Sequence, residues 1–224
     1  QHAGVGEWVD AMVRMEGHAV LGLGATMLGD WKLESGEPTR DLLAGTGLET
    51  TRARGTADAQ VIPSGPGESS DAILQMILAL IYVARRELVL TTPYFVPDDA
   101  MLRALRGAAA RGVRVHLIVP AKNDSILVRY ASRSYYEDLM EVGVTIHPFD
   151  GGLLHTKSIT VDDELCMIGT VNLDMRSLWL NYEVSLFVYD RDFTKRLRAL
   201  QEEYLQQGEP IRMADWKARP VGVR

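Results

Sequence analysis

His155-Thr156-Lys157-Ser158-Ile159-Thr160-Val161-Asp162, followed a few residues later by Gly169-Thr170-Val171-Asn172, is the stretch that decides how this chain is read. Residues 154–161 and 165–168 form two apolar runs separated by Asp162-Asp163-Glu164, the pattern of a β-hairpin. Side chains two apart on a strand share a face, so His155 and Lys157 are expected to point the same way. An imidazole and an ammonium at one spot suit a phosphodiester. The first can attack phosphorus or protonate a leaving oxygen, and the second neutralises the non-bridging oxygens. Asn172, after the second strand, can return to the same place and donate an amide N–H to phosphate oxygen. Gly169 lets the backbone bend or approach closely. Asp162 falls on the opposite strand face. It is expected to hold the turn or support the site from behind, not to touch substrate. Glu183, in Asn181-Tyr182-Glu183, is the expected carboxylate that fixes the tautomer of His155.

Working outward, residues 59–147 alternate between strand and helix patterns. Gln60-Val61-Ile62 is a short strand. Ser69 or Ser70 is expected to cap an apolar helix running to about Ala84, and Glu87-Leu88-Val89-Leu90-Thr91-Thr92 is a strand ended by Pro93. Pro97-Asp98-Asp99 opens a helix that Gly112 closes, residues 113–119 are a strand, 124–142 one helix, and 144–147 a strand. A last strand covers 183–189 and a last helix 192–207. This order predicts an α/β fold with a mostly parallel mixed sheet and helices on both faces. Before it, residues 5–15 alternate like a strand, with Val9, Ala11, Val13 and Met15 on one face, and residues 17–33 read as helix. From about 35 to 58 the chain is rich in Gly, Thr, Arg and Glu and reads as a surface loop.

Composition narrows the function classes. The 224 residues carry a formal charge of −6, which weighs against a nucleic-acid partner but not against a local cationic pocket. The apolar run at 77–84 is far short of the roughly 20 residues that span a bilayer. The single cysteine, Cys166, lies in an apolar run and reads as a buried small hydrophobe. The opening Gln1-His2-Ala3-Gly4 has no signal-peptide pattern and no initiator Met, which points to a piece of a longer parent that could itself carry a membrane segment. His2 and His18 read as surface or capping residues, as does His147, and His116, inside an apolar strand, as a hydrogen-bonded core histidine. Tyr94 and Phe95, at a strand's carboxyl end, are candidates to line an acyl or headgroup path or, equally, for aromatic packing. Arg176 is a candidate helper near Asn172. Arg129, Tyr130, Arg133, Tyr135 and Tyr136 mix cations and aromatics in a way that suits an anionic lipid surface or a solvated helix face.

His155, Lys157, Asp162, Gly169 and Asn172 fill the His-x-Lys, four residues, Asp, six residues, Gly-x-x-Asn motif of the phospholipase D superfamily, with Thr170 where Ser or Gly is commoner. Thr92-Pro93-Tyr94-Phe95-Val96-Pro97-Asp98, Ala108-Ala109-Ala110-Arg111-Gly112-Val113, Asn172-Leu173-Asp174-Met175-Arg176-Ser177 and Asn181-Tyr182-Glu183 narrow the resemblance to bacterial cardiolipin synthases over residues 59 to about 205. Trp8-Val9-Asp10, Val13-Arg14-Met15-Glu16-Gly17 and Asp30-Trp31 resemble the end of that family's first lobe. The resemblance implies residues 1–45 as a remnant of the first lobe, 46–58 as linker, 59–207 as the second lobe and 208–224 as a tail. It implies two His-Lys-Asn sets meeting about a pseudo-two-fold axis and a phosphohistidine intermediate. It gives His155 the acid/base role and matches Asp10 to the acidic partner of the first lobe's histidine. The implied donor is phosphatidylglycerol, with no cofactor and no metal, at a bacterial cell membrane that the protein meets peripherally or through an anchor absent from this chain. The completing partner is the missing first lobe. The alternative is a nuclease-like phosphodiesterase that completes its site with a second copy of the chain.

Overall fold

The computed structural model describes residues 6–44, 46–66 and 71–220. In chain order it opens with the short strand β1 (Trp8–Val9), helix α1 (Ala19–Ser35), the short helix α2 (Thr39–Leu43) and a 3-10 turn at Leu48–Thr50. Then follow β2 (Asp58–Ser64), α3 (Ala72–Val83), β3 (Glu87–Thr91), β4 (Phe95–Val96), α4 (Asp99–Ala110) and β5 (Arg114–Pro120). The chain continues through α5 (Ile126–Arg133), α6 (Tyr136–Glu141), β6 (Thr145–Phe149), β7 (Leu153–Leu154), β8 (Ser158–Val161) and β9 (Leu165–Gly169). It ends with β10 (Leu173–Asp174), α7 (Met175–Trp179), β11 (Glu183–Tyr189), α8 (Arg191–Leu205) and α9 (Met213–Lys217).

Seven strands form one mixed sheet in the order β2-β11-β9-β8-β3-β5-β6. Helices cover both faces. On one, Ile73, Ile77 and Ile81 of α3 and Met101 and Leu105 of α4 pack with Leu88, Leu90, Leu117 and Ile159 of the sheet. The apolar residues of α3 surround most of its circumference, which suits a helix buried on several sides. On the other face lies α8, whose fully buried Gln201 offers its amide to Val89 O, Thr91 Oγ1 and Ser158 Oγ and accepts from Thr160 Oγ1 at 2.5 Å. Satisfying the amide from two strands, β3 and β8, fixes how α8 sits on the sheet. Trp216, in the last helix, is 1% exposed and packs on Tyr136, so the C-terminal stretch contributes to the same core.

The α/β architecture follows the sequence pattern, while the balance of strand directions differs. Only β3–β5 and β5–β6 run parallel, and the other four ladders of the sheet are antiparallel. The strand–helix alternation is genuine between β3 and β6; the hairpin and β11 then insert between β3 and β2. Other boundaries shift as well. Val5, the start of the expected 5–15 strand, lies outside the described residues, and of 6–15 only Trp8–Val9 pairs, in parallel with Leu153–Leu154. Ala11, Val13 and Met15 instead pack side-on against Ile168 and Leu186. The 124–142 helix is broken after Arg133, where Ser134 Oγ donates back to Ala131 O at 2.7 Å and competes with the helical ladder. Residues 35–58 hold a short helix and a 3-10 turn. The capping serines Ser69 and Ser70 lie outside the described residues, and α3 begins after Asp71.

The hairpin turn carries its own device. Asp162 and Asp163 adopt φ of 55° and 59°, a left-handed geometry that short polar side chains tolerate. The Asp162 carboxylate accepts the backbone N–H groups of Arg85, Arg86 and Glu87, each at 2.8 Å. Burial alone would raise this carboxyl, but those three donors and the Arg86 charge outweigh it and hold it below the usual range. Asp162→Ala leaves three N–H groups without acceptors and should lower stability by about 2–3 kcal/mol in urea denaturation. An unchanged midpoint would contradict the clamp.

Candidate active site

The site forms where the N-terminal segment meets the open end of the hairpin. His155 and Lys157 lie in the extended stretch between β7 and β8. The backbone N–H of His155 donates to Val9 O at 2.7 Å, continuing the β1–β7 pairing. That registration places Asp10 beside the imidazole, with Oδ2 2.9 Å from Nδ1, and stacks Trp8 at 4.4 Å between ring centroids. A proton on Nδ1 shared with the carboxylate leaves Nε2 as an acceptor, and this is the tautomer the contact selects.

Lys157 points to the same side as His155, as strand alternation requires. Its Nζ lies 2.9 Å from His155 Nε2 and 3.0 Å from Nδ1, and donates to His155 O at 2.6 Å. The side chain is 7% exposed. Burial pulls the ammonium down to about 8, against the opposing pull of Asp10 and Glu183. An ammonium this poorly solvated is ready to exchange its internal partners for a phosphate oxygen.

Gly169 is required where it stands. Its N–H donates to Lys157 O, and a Cβ there would meet Val184 O at 2.5 Å and Ser185 Cα at 2.7 Å. Asn172 follows, half-buried. Its Nδ2 donates to Ser177 Oγ at 3.0 Å, while its buried Oδ1 has no partner. Ser177 N–H in turn donates to the helix-capping Asp174 at 2.8 Å, so α7 props the Asn172 loop. β10 pairs with β4, and Leu173 N–H donates to Thr92 Oγ1 at 3.2 Å, which ties the loop to the end of β3.

The expected role of Glu183 changes, Phe95 takes the packing alternative, and Asp162 holds the turn as its strand face implied. Glu183 does not touch His155. It accepts from Asn181 Nδ2 at 3.1 Å, and Asp10 holds the imidazole instead. Sequence reasoning singled out Asp10 but matched it to a different histidine, since 145 residues separate the pair. Asp162, counted with the catalytic motif, sits five residues beyond Lys157, about 16 Å along the strand at ~3.3 Å per residue. It clamps the far turn and does not reach the phosphate position. Phe95 is fully buried in the core, edge-on to Tyr135, and lines no substrate path. Tyr94 is half-buried. Its hydroxyl donates to Asp124 at 2.9 Å, and burial together with that carboxylate pushes it up to about 12. Arg176 is exposed on α7 and donates to Asn181 Oδ1 at 3.3 Å. Among the described residues no group of three or more His, Cys, Asp or Glu side chains is arranged to hold a metal ion, and no helix is long and apolar enough to cross a membrane.

Comparison with known proteins shows what the chain is similar to. The family described as "Cardiolipin synthase, PLD-like domain" matches residues 77–205. Cardiolipin synthase A of Serratia proteamaculans is 45% identical over the whole chain, and that of Wigglesworthia glossinidia brevipalpis 46% identical over 98% of it. The chain spans about half the length of these relatives, 46% and 45% respectively. Among solved structures, the phospholipase D family member Nuc from Salmonella typhimurium superposes with a TM-score of 0.60 at 18% identity, over 70% of this chain and 99% of that one. Phosphatidylserine synthase of Haemophilus influenzae superposes with 0.62 at 19% identity, over 84% of this chain and 51% of that one. These two likenesses establish the fold.

The depressed lysine gives a pH signature. Binding of dimethyl phosphate, a monoanion across the range, should weaken as pH rises through about 8, where Lys157 loses its charge. Titration by NMR of the chain should show that limb, and Lys157→Arg should abolish it. A pH-independent affinity in the unsubstituted protein would contradict the assignment.

Proposed function

This chain belongs to the cardiolipin synthase family of the phospholipase D superfamily, and from that membership we propose that it is the second lobe, with the closing segment of the first, of a two-lobed phosphatidyltransferase. The observation that carries the proposal is the Asp10–His155–Lys157 constellation: one imidazole within hydrogen-bond reach of a carboxylate on one side and of a buried ammonium on the other. Residues 1–45 supply Asp10 from the first-lobe side, residues 46–58 link, and residues 59–207 carry His155, Lys157 and Asn172. The counterpart histidine and lysine would come from the missing half of the first lobe.

The chemistry then proceeds by two displacements. Nε2 of the counterpart histidine attacks the phosphorus of phosphatidylglycerol. The P–O bond to glycerol breaks, and His155, as imidazolium, passes its Nε2 proton to the departing oxygen. His155 next takes a proton from the hydroxyl of an acceptor lipid as that oxygen attacks phosphorus and the P–N bond breaks. Asp10 stabilises the imidazolium through Nδ1 in both steps. Lys157 and Asn172 hold the non-bridging oxygens. Because Asp10 reaches across to His155, a pseudo-two-fold arrangement gives Glu183 the matching duty toward the counterpart histidine. Its position accords with that: it stands close enough to Lys157 to act on its charge, yet leaves His155 alone. The substrate is a membrane lipid, so the protein works at the membrane surface.

A chimera joining the N-terminal half of the Serratia relative to this chain should release glycerol and form cardiolipin from phosphatidylglycerol. His155→Ala should cut both by about 10²-fold or more, with a smaller loss in first-step cleavage of a p-nitrophenyl phosphodiester, whose leaving group needs no proton. Glu183→Gln should cost about 10²-fold without changing the His155 resonances. Full activity in His155→Ala, or cleavage of DNA in place of lipid, would overturn the proposal.

A further inference from the structure

Away from His155, three arginines converge on a single cavity of about 240 Å³. Arg129 and Arg133 come from α5, one helical turn apart, and Arg219 from just beyond α9. Arg219 stacks over Trp216 at 4.9 Å. The remaining wall includes the buried Ser132 and Asn123, with Pro93, Val119 and Pro120 at the carboxyl ends of β3 and β5. Among the described residues, no carboxylate lines it. All three arginines are partly buried, and Arg129 Nε is a buried donor with no acceptor. Burial, reinforced by the charges of Arg129 and Arg219, draws the Arg133 guanidinium below its ordinary range. Cations at i and i+4 repel each other on a helix, and taking them out of water adds to that cost. Guanidinium forks match the oxygens of a phosphate in a way that ammonium groups do not.

The position is also telling. Ser158 pairs with Thr91 and Thr91 with Ile118, so Lys157, Thr92 and Val119 lie in one row across the sheet. The near wall of the cavity is thus two strand spacings from Lys157, about 10 Å. Both sites open at the carboxyl ends of β3 and β5, the edge where open α/β sheets place their ligands. The room, roughly eight waters' worth at about 30 Å³ each, suits a headgroup. Ile126 and Leu127, on the same helix as Arg129 and Arg133, are 69% and 79% exposed, and apolar side chains beside the cavity favour a ligand that carries acyl chains over a free ion.

We infer that the Arg129–Arg133–Arg219 cavity is a second phosphate site, which holds the phosphodiester of the acceptor lipid while its free hydroxyl faces His155. This rests on the phosphatidyltransferase reading above. It gives the protein a means to prefer an anionic lipid over water or a neutral alcohol as acceptor.

In the active chimera, with phosphatidylglycerol as donor, transfer is measured to phosphatidylglycerol and to ethanol. The Arg129→Gln/Arg133→Gln double variant should lower the ratio of lipid to ethanol transfer about tenfold or more. An unchanged ratio, whether the two rates hold or fall together, overturns the inference. Inorganic phosphate should compete with the lipid acceptor. Equal stimulation of both transfers by phosphate, lost in the double variant, would assign the cavity to free phosphate and overturn the lipid assignment. If the chimera transfers no phosphatidyl group at all, the functional reading fails, and the anion site is judged by thermal unfolding. Inorganic phosphate should then raise Tm above chloride at equal ionic strength, by an increment that shrinks in the double variant. The same increment in both proteins overturns the site.

Discussion

The register of the β8–β9 hairpin is the constraint on which the site depends. Pairing Ser158 with Ile168 and Val161 with Leu165 brings Lys157 against Gly169 at the open end and Asp162 to the closed end. A slip of one residue would turn Lys157 to the α8 face, where Ser158 and Thr160 now meet Gln201. Both ends are pinned. Gly169 is held by the backbone of β11 at one end, and Asp162 collects three N–H groups at the other. The motif thus combines residues for chemistry with residues for geometry, and the structure separates them.

Two carboxylates illustrate how position decides role. Asp162 sits inside the motif and serves the fold. Asp10 lies far outside it, in a segment with only two paired residues, and holds the imidazole. The N-terminal segment reaches the site because β1 adds to β7 and its apolar side chains Ala11, Val13 and Met15 pack against the sheet. Without that segment the chain would keep His155 and lose the carboxylate beside its Nδ1.

Much of this was legible in the sequence. The hairpin, the shared side of His155 and Lys157, and the α/β alternation rest on local spacing and strand periodicity. What escaped rests on contacts distant in sequence. The strand alternation could not reveal that β11 and the hairpin insert antiparallel between β2 and β3. Glu183 was the natural partner for His155 by proximity along the chain, whereas the partner supplied by the fold lies 145 residues away. Phe95 reads either as lining a substrate path or as packing with other aromatics, and β4–β10 pairing decides for the core. The arginine cavity needs Arg219 from the C-terminal stretch, which the burial of Trp216 and the pairing of Lys217 with Glu141 bring to α6.

The central claim is that Asp10 presets His155 with its proton on Nδ1 and its Nε2 facing the phosphate position. The most direct measurement is the ¹⁵N spectrum of the His155 imidazole, in the unsubstituted protein and in Asp10→Asn. The account predicts that neutral His155 is the Nδ1–H tautomer and that Asp10→Asn loses this preference. A neutral ring protonated on Nε2, or a spectrum indifferent to Asp10→Asn, would contradict it.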